Sequence, residues 1–288
     1  MERNRATSAT RQLDRVREYY ERNTERFERY GQPGSAIHRA VWGSGVETRD
    51  AAIHFVDELI LAEIRGAGTV PRVLDLGCGV GASLLYMSTR MEIAGEGITI
   101  SPLQAARAQE LIRACGARNL RCREGNFLAL PADIENVDLA FSIEAFVHSP
   151  DVEGFFSEAA RVLRPGGKLV VCDDFLTPQG SSHPSERERR WLTDFRSGWR
   201  IGSLVTVSDA IRSAEGVGLR GVREQDLTSY LELGRPRDRW ISLFVEVGRR
   251  LNFRGTYWGA LSGGSALQRA IRFGAIGYSF LVFERREP

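Results

Sequence analysis

Apolar positions change period along this chain. Leu13, Val16, Tyr20, Phe27 and Tyr30 recur near 3.6 residues, with Arg and Glu between them. That spacing predicts a first helix, ended by "GQPGS" at 31–35. Ile53, Val56, Leu59, Ile60 and Ile64 predict a second helix over 48–64, stopped by Gly66 and Gly68. From Arg72 the pattern shortens to compact Val- and Leu-rich runs. "RVLDL" at 72–76, 97–100, "LRCREGN" at 120–126, "VDLAFSI" at 137–143 and "KLVVCDD" at 168–174 read as strands. Helices are expected between them over 81–90, 102–115 and 152–163, with "RPGG" at 164–167 as a turn. Strands alternating with helices predict crossover units and a doubly wound, mostly parallel sheet buried on both faces.

After Phe175 the alternation breaks. "LTPQGSSHPSERERR" reads as polar and turn-rich, and "WLTDFRSGWRIGS" carries two Trp. A helix is expected over 207–215, a strand over 219–224, a long aromatic and Arg-rich helical stretch over 230–273, and a closing strand over 278–285. The chain therefore divides into an N-terminal helical cap, 1–66, and a sheet domain, 67–288, with insertions near 176–206 and 230–273. All five Trp lie outside the regular 70–174 segment. That placement suits a roof over an apolar pocket, or anchors for the extra helices.

Composition narrows the field. The 288 residues are 42% hydrophobic, enough for a proper core. A net charge of +2 gives no reason to expect nucleic acid or an acidic membrane as partner. Lys168 is the single Lys among 39 basic residues, so the Arg skew reflects a coding preference rather than dozens of functional guanidiniums. "MERNRATSATRQLDR" lacks the apolar run of a secretory signal, and no stretch has the roughly 18 apolar residues of a membrane span. Cys78, Cys115, Cys122 and Cys172 form no CxxC pair. Buried reduced thiols in a cytoplasmic protein are the expectation.

"VLDLGCGVGAS" sets Gly77, Gly79 and Gly81 between a strand and a helix, where bare backbone can turn sharply against a ligand. Gly77, Gly79 and Ala82 even satisfy the dinucleotide pattern G-x-G-x-x-A. Asp75 argues against that ligand. A pyrophosphate lies on the helix N-terminus, and a carboxylate beside it is repulsive. A ligand with a positive amino group, such as the methionine end of S-adenosylmethionine, welcomes it. The second strand also ends in Thr99-Ile100-Ser101, without the acid that grips a ribose in NAD sites.

"VLDLGCGVG" resembles the first motif of class I S-adenosylmethionine-dependent methyltransferases. "FLALP" and "VDLAFSIEAFVHSPDVEGFFSEAARVLRPGGKLVV" resemble their later motifs in order, over about residues 70–176. "GITISPLQAARA" and "SIEAFVHSPD" resemble the branch of tocopherol, sterol and other isoprenoid C-methyltransferases. The resemblance implies a Rossmann-like sheet of seven strands, the last antiparallel, with a helical cap and lid insertions. It implies that Asp75, Gly77 and Gly79 surround the methionine moiety, and that Thr99, Ile100 and Gln104 occupy the ribose position. Asn126 and Phe127 fall where the adenine is held. Ser142 ends the fourth strand beside the ligand crevice, and Tyr19 belongs to a helix that closes over the cofactor, with His38 just beyond.

For the chemistry, Glu144, His148 and Tyr20 are the candidates. Glu144 and His148 are four apart, on one face if a helical turn begins there. Either serves as base or cation stabiliser, or Glu144 holds the cofactor's amino group. Asp173 and Asp174 are adjacent carboxylates, but their spacing does not resemble the metal-dependent catechol enzymes, and no metal is expected. "SERERR" at 185–190 and "RPRDR" at 235–239 clamp a diphosphate or form a solvated face. The expected activity is methyl transfer from S-adenosylmethionine to a small apolar substrate, foremost C-methylation of an isoprenoid or prenylated aromatic through a carbocation. O- or N-methylation of a natural-product scaffold is the alternative, and a non-catalytic S-adenosylmethionine-binding module the rival from another class. A homo-oligomer formed through the N-terminal helix is also compatible.

Overall fold

The computed structural model describes residues 11–22, 38–64, 70–251, 253 and 255–287. Phe27, Tyr30, "GQPGS", Gly66 and Gly68, expected to extend and stop the first two helices, lie outside the described residues.

Seven strands form one sheet in the order β3-β2-β1-β4-β5-β7-β6. They are β1 (Arg72–Leu76), β2 (Ala94–Thr99), β3 (Leu120–Glu124), β4 (Val137–Ile143), β5 (Leu163–Leu176), β6 (Leu219–Asp226) and β7 (Ile276–Arg285). All pairings among β1 to β5 are parallel, whereas β7 runs antiparallel to both β5 and β6. The chain steps outward from β1 to β3 and then returns to β4 on the other side of β1. That reversal opens a crevice beyond the carboxyl ends of β1 and β4, where sheets of this kind bind ligands.

Helices cover both faces. The first, α1, is helical over 11–22. The others are α2 (Arg49–Ile53), α3 (Phe55–Ile64), α4 (Ala82–Ser88), α5 (Pro102–Ala114), α6 (Val152–Val162), α7 (Pro178–Ser182), α8 (Glu186–Trp199), α9 (Val207–Gly216), α10 (Pro236–Arg250) and α11 (Thr256–Arg272). Ile60, Leu84 and Ile112 join one apolar cluster with the sheet, while Phe155, Phe156 and Ala210 join the other. Side-chain caps start several helices. Ser101 accepts from Gln104 N with Pro102 following, and Asp151 accepts from Gly154 N.

Four local expectations need correction. The helix expected over 48–64 is two helices broken at His54, whose ring stacks on Tyr86 at 3.7 Å and bonds Asp57 at 2.7 Å. "RPGG" is not a turn between elements but part of β5. Gly166 takes φ 69°, and a Cβ at Gly167 would lie 2.9 Å from Val137 O. "SERERR" opens α8, because Ser185 and Glu188 form a reciprocal capping box. Cys115 is exposed just beyond α5, so the four thiols are not uniformly buried. The segments expected as insertions carry α7 and α8, then α10 and α11. Helices α8 and α11 touch closely: a Cβ at Gly198 would lie 2.3 Å from Gly259 O, and Trp199 Nε1 donates to Ala260 O at 3.0 Å.

Candidate functional site

A cavity of about 210 Å3 occupies the crevice between β1, β2, β4 and α1. Its floor is the glycine loop. Gly77, Gly79 and Gly81 have φ of 106°, 53° and 78°, in the left-handed region that side chains avoid. Gly77 N and Cys78 N donate to Ile98 O at 2.9 and 3.0 Å, tying the loop to β2. A Cβ at Gly77 would meet Ala145 Cβ at 2.3 Å, so the tight passage excludes larger residues. Asp75, next to last in β1, precedes this loop and lines the cavity at 4% exposure. Among the described residues, no cation or hydrogen-bond donor meets its carboxylate. Burial, then the nearby Cys122 and Asp57, pushes its pKa well above the usual carboxylate range.

Thr99 and Gln104, expected at the ribose, bond each other. Thr99 Oγ1 donates to Gln104 Oε1 at 2.9 Å. That contact fixes the amide orientation and leaves Gln104 Nε2 a buried donor without a partner among the described residues. Gln104 lines the cavity, so this donor suits a ligand hydroxyl. Ile100 also lines the cavity, and its carbonyl accepts from Arg17 Nε of α1 at 3.1 Å. Asn126 and Phe127 form the next wall. Asn126 Oδ1 accepts from Leu128 N at 2.9 Å, so one of its two lone pairs is occupied. Ser142 departs from expectation. It is fully buried, does not line the cavity, and its hydroxyl has no partner among the described residues. Side chains alternate along a strand, so the neighbour Ile143 reaches the cavity instead.

The far half of the cavity is polar at its edge and aromatic across it. Glu144 sits at φ 53°, a strained position for a side-chain residue. Its N donates to Cys172 O at 2.9 Å. Its Oε1 accepts from Arg39 N at 2.9 Å, Arg39 Nε at 3.1 Å and Tyr278 OH at 3.0 Å. Burial works to raise its pKa, but Arg39 outweighs this and holds it below the usual value. Arg39 Nη1 also donates to Asp174 at 2.9 Å, and its guanidinium lies 4.2 Å from the Tyr278 ring centroid. One cation thus serves the buried Asp174 and the half-buried Glu144. Glu144 gains three donors and ionises readily, whereas burial raises the pKa of Asp174. Asp173 accepts from Asp174 N and Val147 N at 2.8 and 3.0 Å.

Tyr20 OH donates to His148 Nε2 at 2.9 Å, and His148 Nδ1 faces Arg200 O at 3.3 Å. These neighbours assign the neutral tautomer with its proton on Nδ1. Burial pushes the His148 pKa down to about 4. The same burial raises the Tyr20 hydroxyl far above its ordinary value and Tyr19 up to about 12. Gln12 Nε2 also donates to Arg200 O at 2.7 Å, so α1, α8 and the His148 turn converge on one carbonyl. Glu144 and His148 both line the cavity but do not bond each other; the helical turn here is a short 3-10 turn over Phe146–His148 that leaves Glu144 outside it.

Tyr19 and Tyr20 of α1 are edge-to-face at 5.4 Å and line the cavity together with Trp199 of α8. Among the described residues, Trp199 is the one Trp lining this cavity. Trp191 packs on Phe273, and Trp258 on Phe244 and Phe253. His38 lines the cavity 8% exposed, with neither ring nitrogen hydrogen-bonded among the described residues and Asp57 Oδ2 at 3.8 Å from Nε2. Sequence reading had no signal for Arg39 or Tyr278. One is an Arg among 38, and the other reaches Glu144 through the β4-β5-β7 order. "SERERR" and "RPRDR" lie away from this cavity, along a separate groove of α8, α10 and α11. Among the described residues, no three His, Cys, Asp or Glu side chains gather as a metal cluster.

Residues 74–171 match the family model Methyltransf_11, a methyltransferase domain. The chain is 30% identical over 223 residues to 24-methylenesterol C-methyltransferase 3 of Arabidopsis thaliana, spanning 76% of this chain and 60% of that protein. It is 30% identical over 224 residues to a sterol 24-C-methyltransferase of Schizosaccharomyces pombe, spanning 75% and 56%. In three dimensions it is similar to the cyclopropane synthase MmaA2 of Mycobacterium tuberculosis. The TM-score is 0.75 at 20% identity, over 95% of this chain and 98% of that one. The chain spans 56–60% of the length of the two sterol enzymes.

Proposed function

We propose that the S-adenosylmethionine-dependent methyltransferase domain carried by this chain methylates carbon in a small, largely apolar substrate of isoprenoid character. One observation carries the reading: a single cavity joins Asp75, whose carboxylate is unpaired among the described residues, and the glycine cradle to Tyr19, Tyr20 and Trp199. The residues present fit the cofactor. Asp75 suits its ammonium group, Gln104 Nε2 a ribose hydroxyl, and Asn126 and Phe127 its base. When bound, S-adenosylmethionine supplies an already activated methyl group.

The chain's own residues then have three tasks. The α1 wall and Trp199 exclude water and align the substrate. Their ring faces favour positive charge developing on an alkene carbon. The neutral His148, reached through Tyr20 OH, accepts the departing proton. Glu144, held ionised by Arg39 and Tyr278, suits electrostatic stabilisation better than proton transfer. The Tyr20–His148 pair would equally deprotonate a hydroxyl, which keeps O-methylation as the second reading.

The test is incubation of the purified chain with S-adenosylmethionine and a panel of isoprenoids, prenylated aromatics and phenolic scaffolds. S-adenosylhomocysteine formation with a product heavier by one CH2, and the new carbon-bound methyl seen by NMR, is the expected result. A methyl found on oxygen selects the second reading. Tight S-adenosylmethionine binding without S-adenosylhomocysteine across the panel favours a binding module. Calorimetric binding of NAD without binding of S-adenosylmethionine overturns both.

A further inference from the structure

Helix α10 turns an apolar face outward. Trp240, Leu243, Phe244, Val247 and Leu251 are 72, 55, 49, 47 and 62% exposed. Spacings of three and four align them on one stripe. Phe253 and Tyr257 continue it, 44 and 52% exposed. Of the eleven large hydrophobic side chains exposed among the described residues, seven lie within 240–257. Single exposed apolar residues need no explanation, but a contiguous stripe marks a contact surface. The opposite side of α10 buries Asp238 and Val245 against the protein, so the helix cannot simply rotate its stripe inward.

The rim of this stripe is basic. Residues 235–254 hold six Arg against Asp238 and Glu246, while the whole chain is only +2. Arg237 and Arg239 flank the stripe on opposite sides, and both are exposed. Arg239 also lines a groove shared with Arg187, Arg190, Arg249, Arg269 and Arg272. Glu186, Asp238 and Glu246 temper its charge. Arg249 pairs with Asp194 and Arg269 lies 4.0 Å from Glu246, but Arg187, Arg190, Arg239 and Arg272 make no ion pair among the described residues. An aromatic and aliphatic stripe with Arg on both flanks is the pattern of a helix lying in a lipid headgroup boundary. A second copy is a poor occupant, because a two-fold contact would set one basic rim against another.

We propose that α10 seats this chain on an anionic phospholipid surface. The stripe from Trp240 to Leu251 enters the boundary between headgroups and acyl chains, and Arg237 and Arg239 meet the phosphates. Behind α10, Ala260 of α11 accepts from Trp199 of α8, which lines the cavity, so the stripe connects to the site through α11 and α8. Docking stands on the helix alone. Delivery of an apolar substrate from the bilayer rests on the methylation reading.

Flotation of the full chain with phosphatidylcholine vesicles, with and without phosphatidylglycerol, tests the docking. Wild type should float with the anionic vesicles and be released by high salt. Trp240→Ser with Leu243→Ser should cut the bound fraction about tenfold. Arg237→Gln with Arg239→Gln should bring anionic binding down to the neutral level. Unchanged melting and S-adenosylmethionine affinity in these variants separate docking from the site. Wild type that stays unbound overturns the proposal. So does a dimer, seen by ultracentrifugation, that Trp240→Ser with Leu243→Ser dissolves.

Discussion

Asp75→Asn should make this protein more stable and a worse binder at once. Asp75 is 4% exposed without a cation beside it among the described residues, and its folded pKa lies well above the unfolded 3.8. The sign follows from linkage. Below the unfolded value both states hold the proton and the group is neutral to stability. As pH rises past it, the unfolded chain loses its proton first, and folding weakens by about 1.36 kcal/mol per pH unit. The loss levels off above the folded pKa. Asn keeps the shape without the titration, so the variant's advantage grows across that window and is fully present above it. Binding moves the other way. Removing one partner of a buried charge pair costs about 2–5 kcal/mol, at least about 30-fold in Kd. Wild type should also release a proton on binding S-adenosylmethionine at pH values below that raised pKa, because the ligand's ammonium favours the ionised carboxylate. Urea denaturation at several pH values and calorimetry in buffers of different ionisation heat measure all three. An Asn variant less stable than wild type at neutral pH, or with unchanged affinity, refutes the assignment.

Other perturbations reach the rest of the site. Arg39→Gln strands Glu144 and Asp174 and should cost about 3–5 kcal/mol of unfolding free energy at neutral pH. Arg39 depresses the Glu144 pKa below 4.5, so this stabilisation is present above that value and fades as pH falls beneath it. A penalty independent of pH would contradict the ion-pair account. With the His148 pKa near 4, turnover should stay level from neutral pH down to about 5 and fall only below that. An acid limb near the ordinary histidine value would show that His148 titrates freely. Tyr20→Phe removes a bond worth about 0.5–1.5 kcal/mol and should lower kcat more than S-adenosylmethionine affinity; equal effects would make Tyr20 a binding residue. Gly77→Ala, at φ 106° with its Cβ 2.3 Å from Ala145, should lower Tm and abolish cofactor binding; a variant unchanged in both would contradict the close passage.

Local features of the fold were legible and long-range ones were not. Buried Val and Leu runs marked β1, β4 and β5, because a strand covered on both faces carries its burial in consecutive residues. The start of α8 was equally written, since Ser185 and Glu188 have the capping-box spacing, but the surrounding polar residues disguised it as a turn. Alternation along β4 could have separated Ser142 from Ile143. Thr99 and Gln104 are five residues apart and were found together. Arg39, Tyr278 and Arg200 could not be found that way. Their partners Glu144 and His148 lie 105, 134 and 52 residues away, and only sheet order and helix packing bring them near.

The place of β7 also sets a timetable. It lies between β5 and β6 in the sheet but follows both in the chain. Until it is made, β5 presents a raw edge and β6 has no neighbour to pair with. Some 50 residues separate the end of β6 at Asp226 from the start of β7 at Ile276. A ribosome needs roughly 3–10 s to cross that distance. For that interval the nascent chain exposes a hydrophobic strand edge, and Glu144 lacks the Tyr278 hydroxyl that pins it. Synthesis of the late strand therefore closes the sheet and completes the carboxylate's setting in one event, and a chaperone acting on this protein has that window in which to act.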